Sequence, residues 1–378
     1  VRVIAGVTTS WAARVDERNA AIRAAGRWRT IREFDAFGTT GALSSVEGTV
    51  VSFASNDYLG LTAHPAVVAA AHAALDRWGA GSGASRLVTG ARPVHAELEQ
   101  ELAAWKGTDA ALLFPTGFAA NLGVLSTLAG PGLVVCSDEL NHASIIDGVR
   151  LARAEVRVYR HRDVEQLDDM LATVDGPAIV VTDSVFSMDG DEAPLPALAE
   201  VCARRGALLV VDDAHAVLED SAGELGCELV RVGTLSKTLG SLGGFVAATR
   251  PIIDLLVNQA RPFIFTTAPT PADTAAALAA LRIVRSDEGA SLIERLRGHV
   301  ERIAPGNPSP IVPIVIGDEG AAMAASAALL EQGIFVPAIR PPTVAPGTSR
   351  LRVALSAAHT DDEVDRLLAG LEAIDVPA

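Results

Sequence analysis

Ala207-Leu-Leu-Val-Val-Asp-Asp-Ala-His215 carries five apolar residues straight into two carboxylates and an imidazole. An uninterrupted apolar run of this length suits a strand buried on both faces, and its polar end is where such strands meet ligands. Working outward, similar short runs recur at Leu133-Val-Val-Cys136, Val156-Arg-Val-Tyr159, Ala178-Ile-Val-Val-Thr182 and Leu229-Val-Arg-Val232, separated by Ala/Leu-rich helical stretches. The alternation predicts an α/β fold with a mostly parallel sheet covered on both sides. Residues 1–47 read as an N-terminal helical arm, with Ser10 as N-cap before Trp11. Residues 48–283 then form a large domain. After a helix over Pro271–Arg282, a smaller C-terminal α/β domain occupies 284–378, with strands near 311–316, 334–339 and 351–355.

Composition narrows the function. The 378 residues are 49% hydrophobic, enough for sizeable cores. A net charge of -15 denies nucleic acid or an anionic membrane the broad basic field it needs, though local arginine sites for small anions stay open. Cys136, Cys202 and Cys227 have no metal-ligand spacing and suit a reducing cytosol, so a metal-free cytoplasmic protein is expected. The uncharged span Ala110–Ser137 is long enough for a bilayer, but Pro115, Gly117, Asn121 and Gly130-Pro-Gly132 break it, and it reads as turn, helix, turn and strand. Residues 1–10 lack a sustained apolar core, so no signal peptide is expected.

The chain has two lysines against twenty-nine arginines. Arginine cannot act as an amine nucleophile, whereas lysine can be tuned down and can form a Schiff base. Lys106 closes an amphipathic stretch before Gly107, where the helix dipole accounts for it. Lys237 sits in Thr234-Leu-Ser-Lys-Thr-Leu-Gly240, beyond a strand end. His142, Ser187, Asp212 and His215 follow other strand ends, so separate loops converge on one sheet edge. A lysine, a strand-end aspartate and histidines are the parts of a pyridoxal phosphate site: the lysine binds the aldehyde and moves protons, and the carboxylate keeps the ring nitrogen protonated. Strand alternation points Asp213 away from Asp212, so Asp212 takes that role, with helix N-capping as its alternative. His142 would stack on the ring and His215 would meet its phenolic oxygen, unless both are structural. Thr116-Gly-Phe-Ala-Ala-Asn121 opens a helix and, with Thr234 and Ser236, offers N–H groups and hydroxyls to a phosphate, although Gly117 could be a turn residue alone. Gly79-Ala-Gly-Ser-Gly-Ala84 imitates a dinucleotide fingerprint but follows a helix where a strand is required.

Ser55-Asn-Asp-Tyr-Leu-Gly-Leu61, Phe114-Pro-Thr-Gly-Phe-Ala-Ala-Asn121, Asn141-His-Ala-Ser144, Phe186-Ser-Met-Asp-Gly-Asp191, Asp212-Asp-Ala-His215 and Thr234-Leu-Ser-Lys237 together resemble the α-oxoamine synthase family. The resemblance spans nearly the whole chain. It implies a fold type I pyridoxal-phosphate enzyme, a homodimer with its site at the subunit interface, that condenses an amino acid with an acyl thioester and releases carbon dioxide. The run Ala338–Arg352, ending near His359, resembles the branch that joins L-alanine to pimeloyl-CoA or pimeloyl-ACP in biotin biosynthesis. Sister reactions on glycine with a short acyl thioester, or with a long-chain one, are the alternative. Carried across, the resemblance makes Lys237 the Schiff-base lysine and Asp212 the ring-nitrogen partner. It also implies cofactor contacts from Gly117, Phe118, His142, Ser187, His215 and Thr234. Asn56 and Arg352 would hold the amino-acid carboxylate and Thr343 would touch substrate. Among Arg27, Arg29 and Arg32, Arg29 is preferred as a substrate-binding arginine. Ala216 stands where the family usually has glycine, and only twenty-one residues separate His215 from Lys237, which puts the loop's shape and access for the acyl chain in question.

Overall fold

The computed structural model describes residues 10–44, 46–218 and 225–374. The expectation of no signal peptide falls almost wholly outside the described residues, as do residues 219–224 of the short 216–236 segment. Helix α1 (Trp11–Ala24) starts at the expected cap, with Ser10 Oγ accepting from the Ala13 N–H at 3.2 Å. No residue of α1 is buried. The arm is not helical to its end, however. β1 (Phe34–Ala36) and β2 (Thr40–Leu43) make an antiparallel meander with β3 (Thr49–Ser52), because alternation in Thr40-Gly-Ala-Leu43 sends Ala42 outward and Leu43 into the core.

The main sheet has seven strands: β4 (Ala110–Phe114), β5 (Val134–Asp138), β6 (Glu155–Tyr159), β7 (Ala178–Asp183), β8 (Leu208–Asp212), β9 (Leu229–Thr234) and β10 (Gly244–Ala248), in the order β4-β10-β9-β8-β7-β5-β6. β9, β8, β7, β5 and β6 pair in parallel, whereas β10 runs antiparallel to both β9 and β4. The sheet is thus mostly parallel, as read. Every residue of β4, β5, β7 and β10 is buried, which is what a sheet covered on both faces requires. Two of these strands escaped the sequence reading. Ala110-Ala-Leu-Leu-Phe114 has no β-branched residue, so the turn, helix, turn and strand expected over 110–137 lacked its opening strand. Its partner, Gly244-Phe-Val-Ala-Ala248, lies more than a hundred residues away.

A second sheet takes β11 (Ile311–Gly317), β13 (Ala338–Ile339) and β14 (Ser349–Ala354) in the order β11-β14-β13, while β12 (Ile334–Phe335) pairs in parallel with β3. The stretch expected as one strand over 334–339 is therefore two short strands in different sheets, split at Val336-Pro337. Helices α2 (Pro65–Trp78) and α3 (Pro93–Lys106) pack with the helix Pro271–Val284 over one face. Lys106 does end α3, but the helix dipole alone does not account for it: it is buried, with Nζ 3.1 Å from Asp213 Oδ2. Gly107 does cap α3 in the left-handed region, at φ 65°. The turn it makes folds β4 back over the lysine.

Candidate active site

Helix α4 (Gly117–Leu128) follows β4 and α5 (Ala143–Ala152) follows β5, so their N-termini lie at the same sheet edge as the ends of β7, β8 and β9. Between them is a cavity of about 210 Å³ lined by Gly117, Phe118, His142, Asp212, His215, Thr234 and Lys237, with Asp183, Asn121 and Ser144 among its other walls. Seven residues singled out from the sequence thus meet in one place.

Lys237 Nζ lies 2.7 Å from His215 Nε2. His215 Nδ1 is 2.6 Å from the Tyr58 hydroxyl, which donates to Asn56 Oδ1 at 3.1 Å, and Arg352 Nη2 donates to the same Asn56 oxygen at 3.2 Å. One proton arrangement satisfies every link. Lys237 donates to Nε2, His215 donates from Nδ1 to the Tyr58 oxygen, and the remaining protons point at Asn56. Burial, then the positive charges of Lys237 and Arg352, hold His215 neutral, well below its ordinary pKa. Burial likewise lowers the Lys237 amine from 10.5 to about 8, against the pull of Asp212 and Asp183. An amine desolvated beside a neutral imidazole is poised to lose its proton.

Asp212 is buried, with Oδ2 accepting from Asn121 Nδ2 at 2.6 Å and Oδ1 from the Ala214 N–H at 3.0 Å. Burial raises its pKa, opposed first by Lys237 and then by those hydrogen bonds. A cation at the ring-nitrogen position would reverse that shift. The same Asn121 amide donates to Ser144 Oγ at 2.9 Å, so the Ser144 hydroxyl points its proton at His142 Nδ1, 2.7 Å away. His142 also caps α5, and Phe118 meets its ring edge-on at 6.3 Å. Burial lowers its pKa, so its exposed face is a neutral aromatic surface.

The opposite end of the cavity suits a phosphate. Thr116 caps α4, Thr234 Oγ1 and Ser236 Oγ stand 2.7 Å apart, and a Cβ at Gly117 would press on the Thr234 side chain at 3.3 Å. Glycine is thus needed for close approach, and the helix N-terminus supplies N–H donors. With hydroxyls and N–H groups at one end, carboxyls at the other and an amine at the side, the donor set fits pyridoxal phosphate. The buried Oδ1 of Asp183, which has no hydrogen-bond partner among the described residues, also marks the carboxyl end as a place for a polar ligand.

Other sequence-singled residues sit further out. Arg352 is buried, and its Nε donates to the Ser187 carbonyl at 2.5 Å, bringing Ser187 to the Asn56–Arg352 end. Arg29 and Thr343 do not line the Lys237 cavity; they border a separate cleft of about 690 Å³ with Arg27, Arg32 and Arg340. Tyr58, Asn121 and Ser144 lay inside quoted motifs without being assigned a part. A buried polar residue within an otherwise apolar helix face, as at Asn121, was the available signal.

Comparison with known proteins agrees with this geometry. The family profile of class I and II aminotransferases matches residues 48–371. An 8-amino-7-oxononanoate synthase of Anaeromyxobacter dehalogenans is 52% identical over 352 residues, covering 87% of each chain, and one of Alkalilimnicola ehrlichii is 47% identical, covering 94% of this chain and 96% of its own. Among solved structures, a Sphingomonas wittichii serine palmitoyltransferase superimposes with a TM-score of 0.89 at 31% identity, over 99% of this chain and 100% of that one. The 8-amino-7-oxononanoate synthase of Francisella tularensis gives 0.73 at 28%, over 86% and 96%. With a site built from one lysine, two histidines and a strand-end aspartate on this scaffold, the chain belongs to the class I and II aminotransferase family, in its α-oxoamine synthase branch.

Proposed function

We propose that the chain is a pyridoxal-phosphate-dependent C-acyltransferase that condenses L-alanine with a pimeloyl thioester, on CoA or on a carrier protein. The products are 8-amino-7-oxononanoate, carbon dioxide and the free carrier thiol, and the pathway is biotin biosynthesis. The observation that carries the reading is Lys237, desolvated at 2.7 Å from a neutral His215, in a cavity shared with Asp212. When bound, pyridoxal phosphate supplies an electron sink for the carbanion of the amino acid. Lys237 would hold it covalently and, once displaced by alanine, take and return the proton at the amino-acid α-carbon. General acid-base catalysis of this kind contributes about a hundredfold to ten-thousandfold. Asp212 would keep a proton on the ring nitrogen, His142 would cover the ring, and His215 would meet its phenolic oxygen. Gly117, Phe118, Ser187 and Thr234 would complete the cofactor's seat. Arg352 and Asn56 would fix the alanine carboxylate, while Thr343 and Arg29, with Arg27 and Arg32 competing, would face the acyl donor.

The domain division at residues 47 and 283 belongs to the same reading. So does a homodimer, which would cover Trp11, Ile31 and Phe37, all more than 80% exposed along the arm. No helix among the described residues is long and apolar enough to cross a membrane, and three free cysteines support a cytoplasmic setting.

Turnover of alanine with pimeloyl thioester, glycine with acetyl thioester and serine with palmitoyl thioester, measured side by side as carbon dioxide released, tests the substrate choice. The first pair should be fastest. Alanine over glycine rests on one methyl group and is worth about 1–3 kcal/mol. Preference for serine and a long acyl chain would keep the branch and reject this member of it.

A further inference from the structure

β7 and β8 pair in parallel with Asp183 opposite Asp212, so the two carboxyls leave neighbouring strands about 4.8 Å apart at the backbone. Both line the cavity of Lys237. The proposed reaction gives Asp183 no task. Yet it is 3% exposed with an Oδ1 that no donor among the described residues meets, whereas both Asp212 oxygens accept hydrogen bonds. A buried polar atom in that condition is costly unless a ligand meets it.

Two buried carboxyls that line one cavity from neighbouring strands titrate as a pair, and the charge of Asp212 disfavours ionisation of Asp183. Burial, reinforced by Asp212 and Asp138 and opposed by Lys237 and the His142 N–H, pushes Asp183 well above the usual carboxylate range. The remaining titratable groups facing this end, His142 and His215, are lowered by burial. We propose that Asp183 and Asp212 hold one proton between them in the cofactor-free enzyme and release it to solvent when the cofactor, whose ring nitrogen already carries a proton at neutral pH, binds, leaving two carboxylates against a protonated ring. This rests on the reading that the cavity takes pyridoxal phosphate. In the step a carboxyl O–H bond breaks and its proton passes to water. The pair gains one negative charge against the positive ring, and one proton leaves to solvent at this end. Asp183 carries the proton beforehand, because the two donors on Asp212 already favour its ionised form.

The test is to titrate cofactor-free wild type and Asp183→Asn with pyridoxal phosphate by calorimetry, in buffers of different ionisation enthalpy, and count the protons taken up or released. Because Asp183 also acts on Lys237, both proteins are titrated well below pH 8, where the amine is protonated in each and its contribution is common. With Asp212 alone and already ionised, the variant has no shared proton to release, so its net count should lie about one proton above that of wild type, which releases one. Near neutral pH the affinity of wild type should also rise about tenfold per pH unit where that of the variant is flat. Equal proton counts overturn the proposal. Asp183→Ser repeats the test should the amide disturb folding. A measurement on wild type alone gives an independent reading: the infrared difference spectrum on cofactor loading should lose the band of a buried protonated carboxylic acid, and a band that persists also overturns it. Wild type that gives no borohydride-reducible linkage to Lys237 would instead remove the reading beneath the pair.

Discussion

At the end of β8 two consecutive aspartates leave the backbone in opposite directions. Asp212 faces the cavity of Lys237, while Asp213 accepts from Lys106 Nζ at 3.1 Å and Arg231 Nη1 at 3.0 Å on the far side. The two regions use the same residue types, both removed from water, and differ in how charge is matched. Around Asp213 a carboxylate lies within hydrogen-bonding reach of two cations, and all three side chains are at most 3% exposed. Around Asp212 the lysine's near neighbour is a neutral imidazole, and a second carboxyl stands close by. A buried group whose opposite charge is already supplied locks structure, whereas one left short of it shifts its pKa and can accept a charged ligand.

The contrast would break most visibly at Lys237. Lys237→Ala should lose at least about ten-thousandfold in turnover, since it removes both the covalent anchor and the proton carrier. Borohydride treatment of the loaded wild type should leave a pyridoxyl group on the Lys237 peptide in mass mapping; label on the Lys106 peptide would invert the assignment of the two lysines. Asp212→Asn should keep cofactor bound, visible by its absorbance, yet slow deuterium exchange at the alanine α-carbon by about a hundredfold or more. Near-normal exchange would move the ring-nitrogen role elsewhere.

On the other side, Asp213→Ala should lower the free energy of unfolding by about 3–5 kcal/mol, because it removes a buried carboxylate that accepts from both Lys106 and Arg231. Urea denaturation checks this, and α-proton exchange per folded molecule should stay within about threefold of wild type, well inside the loss expected for an acid-base group. The smallest effect concerns pH. With burial setting the Lys237 amine at about 8, it is mostly protonated below that value, so the rate at which cofactor-free enzyme captures pyridoxal phosphate should rise about tenfold per unit up to pH ~8 and then level. A stopped-flow profile still climbing near pH 10 would mean a solvated amine.

The parallel strands and the cavity residues were legible because each lies where an apolar run ends in a polar side chain, a purely local pattern. Lys106 was misread because its surroundings are not local: the residues flanking it describe a helix end, and only the packing of β8 and β9 against that end brings Asp213 and Arg231 to it. β4 and β10 were missed for a related reason, since Ala-rich runs become strands here through pairing with each other. Tyr58 went unassigned because its importance lies in bridging His215 and Asn56, a relation that spans 157 residues. Arg29 and Thr343 border a cleft apart from the Lys237 cavity, a separation that sequence spacing could not reveal and that leaves their proposed contact with substrate as a proposal.

The hydrogen bond from Arg352 to Asn56 joins positions 296 residues apart. As the polypeptide is made on the ribosome, Lys237, Asp212, His142 and His215 have all been synthesised once β10 is complete, but Arg352 follows only after about a hundred further residues. During that interval the residues proposed to seat the cofactor are all present in the chain, while Asn56 still lacks the arginine proposed to clamp an amino acid with it. The order of assembly is thereby written into the order of the sequence: the nascent chain can acquire the means to hold a reactive aldehyde well before it acquires the means to bring that aldehyde a substrate.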